Sequence, residues 1–326
     1  MIRIIFPLYF LLSATVLQAA DLPGIPDFIN EMVTKHQFSR DELVRTFQEA
    51  QHRQDVIDAM NTPATIKPWY EYRASFINQK RIEGGVKFWQ KHAEALSRAE
   101  KTYGVPQEII IAIIGVETLY GRHAGNYRTL DALTTLTFDY PRRVDFFRGE
   151  LEQYLLLVRE QSLDMFTIRA SYAGALGIPQ FMPSSYRRNA VDFNGDGKID
   201  LLKEPEDAIG SVANYLRQYG WKPGEPVAVR ATISDVARPD DVAAARNMLA
   251  WNKLGVSPQG KFGDDVYAYL LDFTMQEGKE FWFGFNNFAV ITTYNNSSFY
   301  AMSVYQLAVE LRKSAQPQNL SLRAPL

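Results

Sequence analysis

The spacing of apolar positions along the chain predicts a mainly helical protein. Between residues 25 and 100, apolar side chains recur at the intervals that place them on one face of an α-helix. The same period continues from 105 to 161, appears again at 208–219 and returns at 298–312. Proline and glycine residues separate these segments, as they commonly do at helix ends. The sequence therefore predicts helices over most of its length.

Residues 222–284 follow a different pattern. Glycine and proline punctuate short β-branched or aromatic stretches such as EPVAVRATI, VYAYLLDF and KEFWFGF, which are typical of strands. A short helix is expected near Asp240 to Trp251. The pattern predicts a small β-rich domain inserted in a helical protein.

The predicted fold class is therefore mainly α (α+β), with a helical core and a small inserted β domain. The first 20 residues carry one arginine, a long apolar stretch and then small residues, which is the pattern of a cleaved export signal; an uncleaved anchor is the alternative. The predicted parts are a signal peptide at 1–20, an N-terminal helical domain at 21–96, a helical core at 97–221, the β domain at 222–284, and a return to the core with a C-terminal tail at 285–326.

Composition excludes several kinds of chemistry. The 326 residues contain no cysteine, which excludes thiol catalysis, thiolate metal sites, disulfides and lipid attachment through an N-terminal cysteine. The four histidines are never three or four residues apart, which argues against a histidine-rich zinc site. A formal net charge of −2, without a long basic run, argues against a nucleic-acid partner. A neutral polymer or a small molecule fits this composition better.

A single carboxylic acid, Glu117, stands near the end of the apolar run IIIAIIGVETLYG at 109–121. On a helix, Ile110 and Ile113 share its face and the remaining surface is also apolar, so the helix is expected to be buried. Because an unpaired ionised carboxylate is costly to bury, Glu117 must be paired, lie at a cleft, or stay protonated part of the time. A desolvated carboxyl with a raised pKa can act as a general acid near neutral pH. The alternative is a structural glutamate that pairs with Arg122 or faces water.

The segment SYAGALGIPQFMPSSY, at 171–186, is a candidate wall of a ligand groove. Its alanines and glycines allow a tight loop and a close backbone approach, and Gln180 carries both a donor and an acceptor. The alternative is a compact turn that needs small residues for packing.

Two further groups of side chains are suited to binding a sugar polymer. In TTYNNSSFYAM, the amide of Asn295 stands near Tyr294 and Tyr300, and aromatic faces with neighbouring amides suit sugar rings. An ordinary turn before a helix has the same composition. In YPRR, Arg142 and Arg143 are able to contact an anionic substrate group, although such a pair is more often solvated.

The segment DFNGDGKIDLLKEPED, at 192–207, resembles the calcium-binding loop of an EF-hand. Position 12, normally a bidentate glutamate, is Lys203, and a cation cannot close a calcium shell. The closing carboxylate must then come from an extended loop, with Glu204, Glu206 and Asp207 as candidates. A structural calcium ion is predicted, and a turn without metal is the alternative. The residues that match the ligand positions are Asp192, Asn194, Asp196 and Lys198, the last through its carbonyl.

These segments together resemble the membrane-bound lytic murein transglycosylase B family. The matching stretches fall in order between about Tyr70 and Leu311: IIGVETLYG with LDALTTLTFDYPRR, AGALGIPQFMPSSY, VDFNGDGKIDL running into EDAIGSVANYL, and YNNSSFYAM. One family accounts for all of these segments jointly. The resemblance therefore favours functional roles for Glu117 and Gln180 over the structural alternatives.

The resemblance implies a lysozyme-like helical core that binds bacterial peptidoglycan in a groove. It implies cleavage of the β-1,4 bond between N-acetylmuramic acid and N-acetylglucosamine without water, which leaves a 1,6-anhydro-N-acetylmuramic end. Glu117 matches the single catalytic residue, acting as acid and then as base. By the same resemblance the substrate-binding residues are Tyr72, Arg142, Arg143, Ser171, Gln180, Tyr294, Asn295 and Tyr300. The calcium ligands are Asp192, Asn194, Asp196, Lys198 and Asp207.

The mechanism, the calcium ligand set, the location and the partners are further expectations. Ordinary glycosidases use two carboxylates, and nothing in the sequence places Asp131 or Asp139 across a scissile bond, so the substrate's N-acetyl group is expected to assist. The calcium loop is one residue longer than the family pattern, which leaves the choice between Glu206 and Asp207 open. We expect a soluble, periplasmic monomer without an organic cofactor, with peptidoglycan glycan strands and other cell-wall enzymes as candidate partners. A hydrolytic muramidase and a non-catalytic peptidoglycan-binding scaffold are the competing functions.

Overall fold

The computed structural model describes residues 22–62, 67–234 and 244–315. The predicted signal peptide at 1–20 lies outside these ranges. The helices are α1 (Ile25–His36), α2 (Arg40–Glu49), α3 (Gln54–Asn61), α4 (Trp69–Phe76), α5 (Gln79–Lys91), α6 (Ala93–Tyr103), α7 (Gln107–Thr118), α8 (Thr129–Phe138), α9 (Val144–Glu160), α10 (Pro183–Asn189), α11 (Pro205–Gln218), α12 (Met248–Lys253), α13 (Asn286–Tyr294) and α14 (Ser298–Ala315). The strands are β1 (Tyr127–Arg128), β2 (Arg169–Ala170), β3 (Ala228–Ile233), β4 (Arg246–Asn247), β5 (Val256–Pro258), β6 (Tyr267–Thr274) and β7 (Lys279–Gly284).

Helix α7 lies at the centre of the helical part, packed by α5, α6, α11 and α14. Every residue from Glu108 to Val116 is buried, as expected for a helix that is apolar on all sides. Glu108 is an additional buried acid, and its carboxylate accepts a hydrogen bond of 2.7 Å from Nε of Arg312 on α14. The burial of this helix leaves its last turn as the place where a polar side chain can reach solvent.

Helix α7 ends in a sharp turn. Pro106 is the residue just before the helix, and the helix ends at Thr118. Leu119, Tyr120 and Gly121 then have φ angles of 51°, 65° and 83°. Three successive left-handed residues turn the chain sharply away from the helix axis.

The β-rich region contains a five-stranded antiparallel sheet with the order β4-β6-β7-β3-β5. Its strands lie between Ala228 and Gly284, inside the range that the sequence predicts to be β-rich. The short helix expected near 240–251 overlaps α12 only from Met248, since 246–247 form β4 and 240–243 lie outside the described residues. The sheet also contacts the helices, since Phe273 lies 4.8 Å from Trp69 of α4 between ring centroids. The division into domains at residues 96, 221 and 284 stays a prediction.

A second, two-stranded sheet positions the loops beyond α7. Strands β1 and β2 pair antiparallel, with Tyr127 opposite Ala170. This pairing brings the chain after α7 next to the segment that begins at Ser171. Within the described ranges, no helix combines the length and the apolar character that crossing a membrane requires.

Candidate active site

Glu117 lies in the last turn of α7, half-buried, with its carboxyl against a tyrosine hydroxyl. The hydroxyl of Tyr300 on α14 donates a hydrogen bond of 2.6 Å to Oε1 of Glu117. Burial raises the pKa of Glu117 to about 7, and the hydrogen bond from Tyr300 opposes that rise. Among the described residues, no basic side chain forms an ion pair with Glu117, so the pairing with Arg122 considered above is not formed. A carboxyl in this state can give up a proton near neutral pH.

Three tyrosines surround the carboxyl of Glu117. Tyr300 is buried and its ring stacks on that of Tyr294, with centroids 6.3 Å apart and planes 12° apart. Tyr72 on α4 packs against Phe299, 5.5 Å between centroids. Burial and the negative charge of Glu117 raise the pKa of Tyr72, Tyr294 and Tyr300 alike. All three phenols therefore stay neutral near neutral pH and serve as hydrogen-bond donors or apolar walls.

The loop that carries Gln180 is tied to both sides of this cluster. Thr118, next to Glu117, donates through Oγ1 to the carbonyl of Ile178 at 2.8 Å. The hydroxyl of Tyr294 donates to the carbonyl of Pro179 at 2.6 Å. Gln180 itself has a φ of 54°. The sequence reading missed Thr118, although its position directly after the candidate acid was a signal.

The side-chain amide of Gln180 is oriented by two backbone carbonyls. Its Nε2 donates to the carbonyls of Ala124 at 3.0 Å and Gly177 at 2.8 Å. With the amino end held in this way, the amide carbonyl is left to accept from a ligand. Gly177 has no space for a side chain, because an added Cβ would come 2.2 Å from the carbonyl oxygen of Leu201.

The other candidate binding residues have contacts of their own. Ser171 is half-buried, and its Oγ accepts from the backbone N–H of Ala175 at 3.0 Å. Asn295 is exposed just after α13. Arg142 and Arg143 are exposed at the start of α9, where the guanidinium of Arg143 lies 4.0 Å from the ring centroid of Phe146. None of the contacts described for these four residues reaches Glu117.

The two downstream acids have partners of their own. Asp131 is 2% exposed and accepts hydrogen bonds of 2.6 and 2.9 Å from Arg128. Asp139 pairs with Nε2 of His52 at 2.7 Å. Within the described part of the chain, the causes of the shifted pKa of Glu117 include no second carboxylate. The geometry therefore offers one acid, not the pair of an ordinary glycosidase.

The predicted calcium loop is folded around two carboxylates. Asp207 is 1% exposed, and its oxygens accept backbone N–H bonds from Phe193, Asn194 and Asp200 at 2.8, 3.2 and 2.8 Å. Asp192 accepts from three further N–H groups of the same loop. The side chain of Glu206, in contrast, is exposed and forms an ion pair of 3.0 Å with Arg98 outside the loop.

The donor types of this loop fit a calcium ion, and the same side chains form hydrogen bonds within the loop. Carboxylate, amide and carbonyl oxygens are the ligands that calcium prefers. In the described ranges, no three carboxylate or imidazole side chains converge closely enough to hold a metal ion. A carboxylate has about four lone-pair sites, so the oxygens of Asp192 and Asp207 that accept backbone N–H bonds can also contact a cation.

Comparison with known proteins places this arrangement in a family. The family model described as Transglycosylase SLT domain matches residues 22–309. The membrane-bound lytic murein transglycosylase B of Escherichia coli (strain K12) is 43% identical over 298 residues, which are 88% of this chain and 82% of that protein.

Two solved structures extend the comparison. The Escherichia coli lytic transglycosylase SLT35 in complex with calcium matches with a TM-score of 0.85 and 42% identity, over 93% of this chain and 98% of its own. SltB3 from Pseudomonas aeruginosa in complex with NAG-anhNAM-pentapeptide matches with a TM-score of 0.80 and 27% identity, over 93% of this chain and 81% of its own. These matches confirm the mainly α, lysozyme-like fold class. The chain belongs to the transglycosylase SLT domain family, and it is a lytic transglycosylase, a non-hydrolytic lyase that acts on peptidoglycan.

Proposed function

We propose that Glu117 is the single acid–base residue of this enzyme and that the product carries a 1,6-anhydro-N-acetylmuramic end. One observation carries the proposal: a desolvated carboxyl with a pKa of about 7 is bonded to a neutral tyrosine and is not opposed by a second acid in the described site. The complex of SltB3 with NAG-anhNAM-pentapeptide, a ligand whose name contains an anhydro sugar, supports it.

The reaction needs one proton to leave Glu117 and one to return. Protonated Glu117 gives its proton to the glycosidic oxygen as the bond from the muramic anomeric carbon breaks. The N-acetyl oxygen of the same sugar stabilises the positive charge that develops at that carbon, which is the substrate-assisted exception to the two-carboxylate rule. The 6-hydroxyl oxygen then bonds to the anomeric carbon, and its proton returns to the Glu117 carboxylate. Atoms balance without water, and the enzyme ends in its starting state.

The tyrosine beside Glu117 suits a residue that alternates between two charge states. The hydroxyl of Tyr300 donates to Oε1 and therefore favours the carboxylate that exists between the two proton transfers. Burial favours the protonated form, which the first step requires. The two effects oppose each other and keep the pKa near the working range.

The substrate-binding roles belong to the same proposal. Tyr72, Tyr294 and Gln180 are grouped around Glu117 or on the loop tied to it, which supports roles in holding the sugar at the cleavage point. Ser171, Asn295, Arg142 and Arg143 are proposed to contact sugar or peptide further along the strand.

Digestion of purified peptidoglycan by a Glu117→Gln variant tests the catalytic assignment. We expect the variant to fold and to lose activity by more than about 100-fold, the range for removal of a general acid. Asp139→Asn is the matched control, because it neutralises a downstream acid that pairs with His52 instead of contacting Glu117, and its activity should be unchanged.

Mass spectrometry of the products decides among the three functions. Wild-type products lighter by one water than the hydrolysed sugars support the proposal. Reducing ends of full hydrolysed mass would establish a muramidase instead, and unchanged turnover by Glu117→Gln would remove this residue from the chemistry. Binding of peptidoglycan without any wild-type turnover would establish a scaffold.

We also propose that the 192–207 loop binds calcium through Asp192, Asn194, Asp196, the Lys198 carbonyl and Asp207. The donor types support this, and the structure of SLT35 in complex with calcium supports it independently. The buried position of Asp207 inside the loop and the ion pair of Glu206 with Arg98 favour Asp207 as the closing ligand.

Thermal unfolding with and without a chelator tests the calcium proposal. Calcium should raise the Tm of the wild-type protein, and the gain should vanish in Asp207→Asn because the closing carboxylate is lost. Glu206→Gln should keep the gain. A calcium response that survives in Asp207→Asn and disappears in Glu206→Gln would reverse the assignment, and no response in the wild type would end the proposal.

We propose the periplasm as the location, on the predicted signal peptide and on the peptidoglycan substrate. Cell fractionation with the intact chain tests this, with recovery in the periplasmic fraction expected. Recovery with the cytoplasmic or membrane fraction would contradict it.

A further inference from the structure

Arg81 and Tyr120 join the end of α7 to α5 by two hydrogen bonds that run in opposite directions. The guanidinium of Arg81 donates through Nη1 to the carbonyl of Gly115, two residues before Glu117. The hydroxyl of Tyr120, three residues after Glu117, donates to the carbonyl of Arg81 at 2.8 Å. The catalytic turn is therefore held on both sides by one residue of α5.

Three glycines make room for the ring of Tyr120. A Cβ added to Gly115 would come 2.7 Å from this ring, one added to Gly85 would come 2.5 Å from its hydroxyl, and one added to Gly84 would come 3.0 Å from its edge. The left-handed φ of 65° at Tyr120 directs the side chain back into this slot. The three glycines leave space for the ring of Tyr120, and the left-handed conformation of Tyr120 places the ring in that space.

The surroundings of Arg81 are unusual for an arginine. Its guanidinium lies 5.2 Å from the ring centroid of Phe76, and burial lowers its pKa. Its Nε is buried without a hydrogen-bond partner in the described structure, and none of the ion pairs there includes Arg81. A partly buried charge without an acid partner is costly. The hydrogen bond from the guanidinium to the carbonyl of Gly115, which holds the last turn of α7, accounts for an arginine at this position.

We propose that Arg81 and Tyr120 are positioning residues, which set the last turn of α7 so that the carboxyl of Glu117 meets the hydroxyl of Tyr300. Neither residue is required to touch substrate. The inference rests on the proposed function of Glu117, and it predicts an effect on the carboxyl itself as well as on the reaction.

The test measures the titration of Glu117 directly, by carbon-13 NMR of glutamate carboxyls assigned with Glu117→Gln. The other titratable groups that face Glu117 are Tyr72, Tyr294 and Tyr300, and all three pKa values are raised, so Glu117 alone of this cluster titrates near neutrality. Tyr300→Phe should move the titration of Glu117 to higher pH, because it removes the bond that lowers the pKa.

Arg81→Lys should move the titration in the same direction and lower kcat by on the order of tenfold to a hundredfold, with little change in KM, because a small displacement of a catalytic group is costly. The double variant with Tyr300→Phe should be no further shifted than Tyr300→Phe alone. Tyr120→Phe keeps the ring in its slot and removes only the bond to the carbonyl of Arg81. It should give a smaller shift of the same sign, and it serves if Arg81→Lys fails to fold.

Arg159→Lys is the matched control. Arg159 also donates to a carbonyl, that of His36 at 2.8 Å, and its guanidinium also lies over a phenylalanine ring, 4.1 Å from the centroid of Phe38. It should lower stability without changing the titration or kcat. Arg81→Lys and Tyr120→Phe variants with wild-type titration and kcat would overturn the inference, even if their Tm were lowered. If Arg81→Lys shifts the titration of Glu117 but Glu117→Gln retains full activity, the positioning role is supported and the proposed catalytic role of Glu117 is refuted.

Discussion

At the scale of the residue, the two acids of α7 show how surroundings decide what a carboxyl does. Glu108 at the start of the helix is buried and bonded to Arg312, which satisfies its charge. Glu117 at the other end has a tyrosine in place of an arginine, and burial without a cation raises its pKa to about 7. The same side chain on the same helix is structural in one case and a proton donor in the other.

The raised pKa of Glu117 predicts that this residue lowers stability above acid pH. Below the ordinary value of 4.5 both folded and unfolded chains carry the proton, so the residue has no effect. As the pH rises from 4.5 to about 7, the unfolded chain loses the proton that the folded chain retains, and folding becomes less favourable by up to about 3 kcal/mol. Above that pH the difference is constant.

Glu117→Gln should therefore raise the free energy of unfolding more at pH 8 than at pH 4.5. Chemical denaturation at the two pH values measures this difference. Equal effects of the substitution at both pH values would contradict the raised pKa.

At the scale of the element, the end of α7 depends on close packing with α5. Tyr120 fills the slot made by Gly84, Gly85 and Gly115, so a glycine in the middle of a helix, ordinarily unfavourable, has a packing reason here. The loop with Gln180 is held to the same turn by Thr118. The catalytic acid and its surroundings are thus fixed by contacts between elements far apart in the sequence.

Gly115→Ala should destabilise the protein by about 1–3 kcal/mol, because the new methyl group overlaps the ring of Tyr120. Gly149→Ala is the matched control on α9, where an added Cβ meets nothing within 4 Å, and it should stabilise by about 0.5–1 kcal/mol through helix propensity. Thermal or chemical denaturation of the two variants measures both. A stabilised Gly115→Ala variant would show that the slot is not tightly filled.

At the scale of the whole molecule, one apolar core connects the helices and part of the sheet. Every described helix except α12 shares this core with Phe273 and Trp282 of the sheet, and a second, smaller core lies around Trp251 of α12 and Phe283. Shared core residues couple the unfolding of the regions they join. The β-rich region is therefore expected to unfold together with the helices.

Calorimetry should show a single unfolding transition for the intact chain. Phe273→Ala should lower its temperature, at a cost of about 3–5 kcal/mol, because the buried ring contacts Trp69 of α4. Tyr267→Ala, on the same strand but 64% exposed, should change it little. A separate transition for the β-rich region would contradict the coupling.

Features that depend only on neighbouring residues can be predicted from the sequence. The periodicity of apolar positions predicted a buried α7, and the β-branched stretches after residue 222 predicted the strands, because both patterns follow from the repeat of one element. The candidate acid also followed locally, since one carboxyl in an apolar run is costly wherever it lies. The end of α7 does not follow from the local sequence, because it depends on the packing of Tyr120 against Gly84 and Gly85 of α5.

The groups that meet Glu117 are set by long-range packing and could not be predicted from the local sequence. The hydroxyl of Tyr300 stands 183 residues away along the chain, and no periodicity relates the two. The same holds for Arg312 at Glu108 and for Arg81 at Gly115, which belong to other helices. The local sequence predicts that a charge is unfavourable at position 117, whereas long-range packing decides which group contacts the carboxyl. At Glu117 that group is the neutral hydroxyl of Tyr300, so the carboxyl can gain and lose a proton near neutral pH.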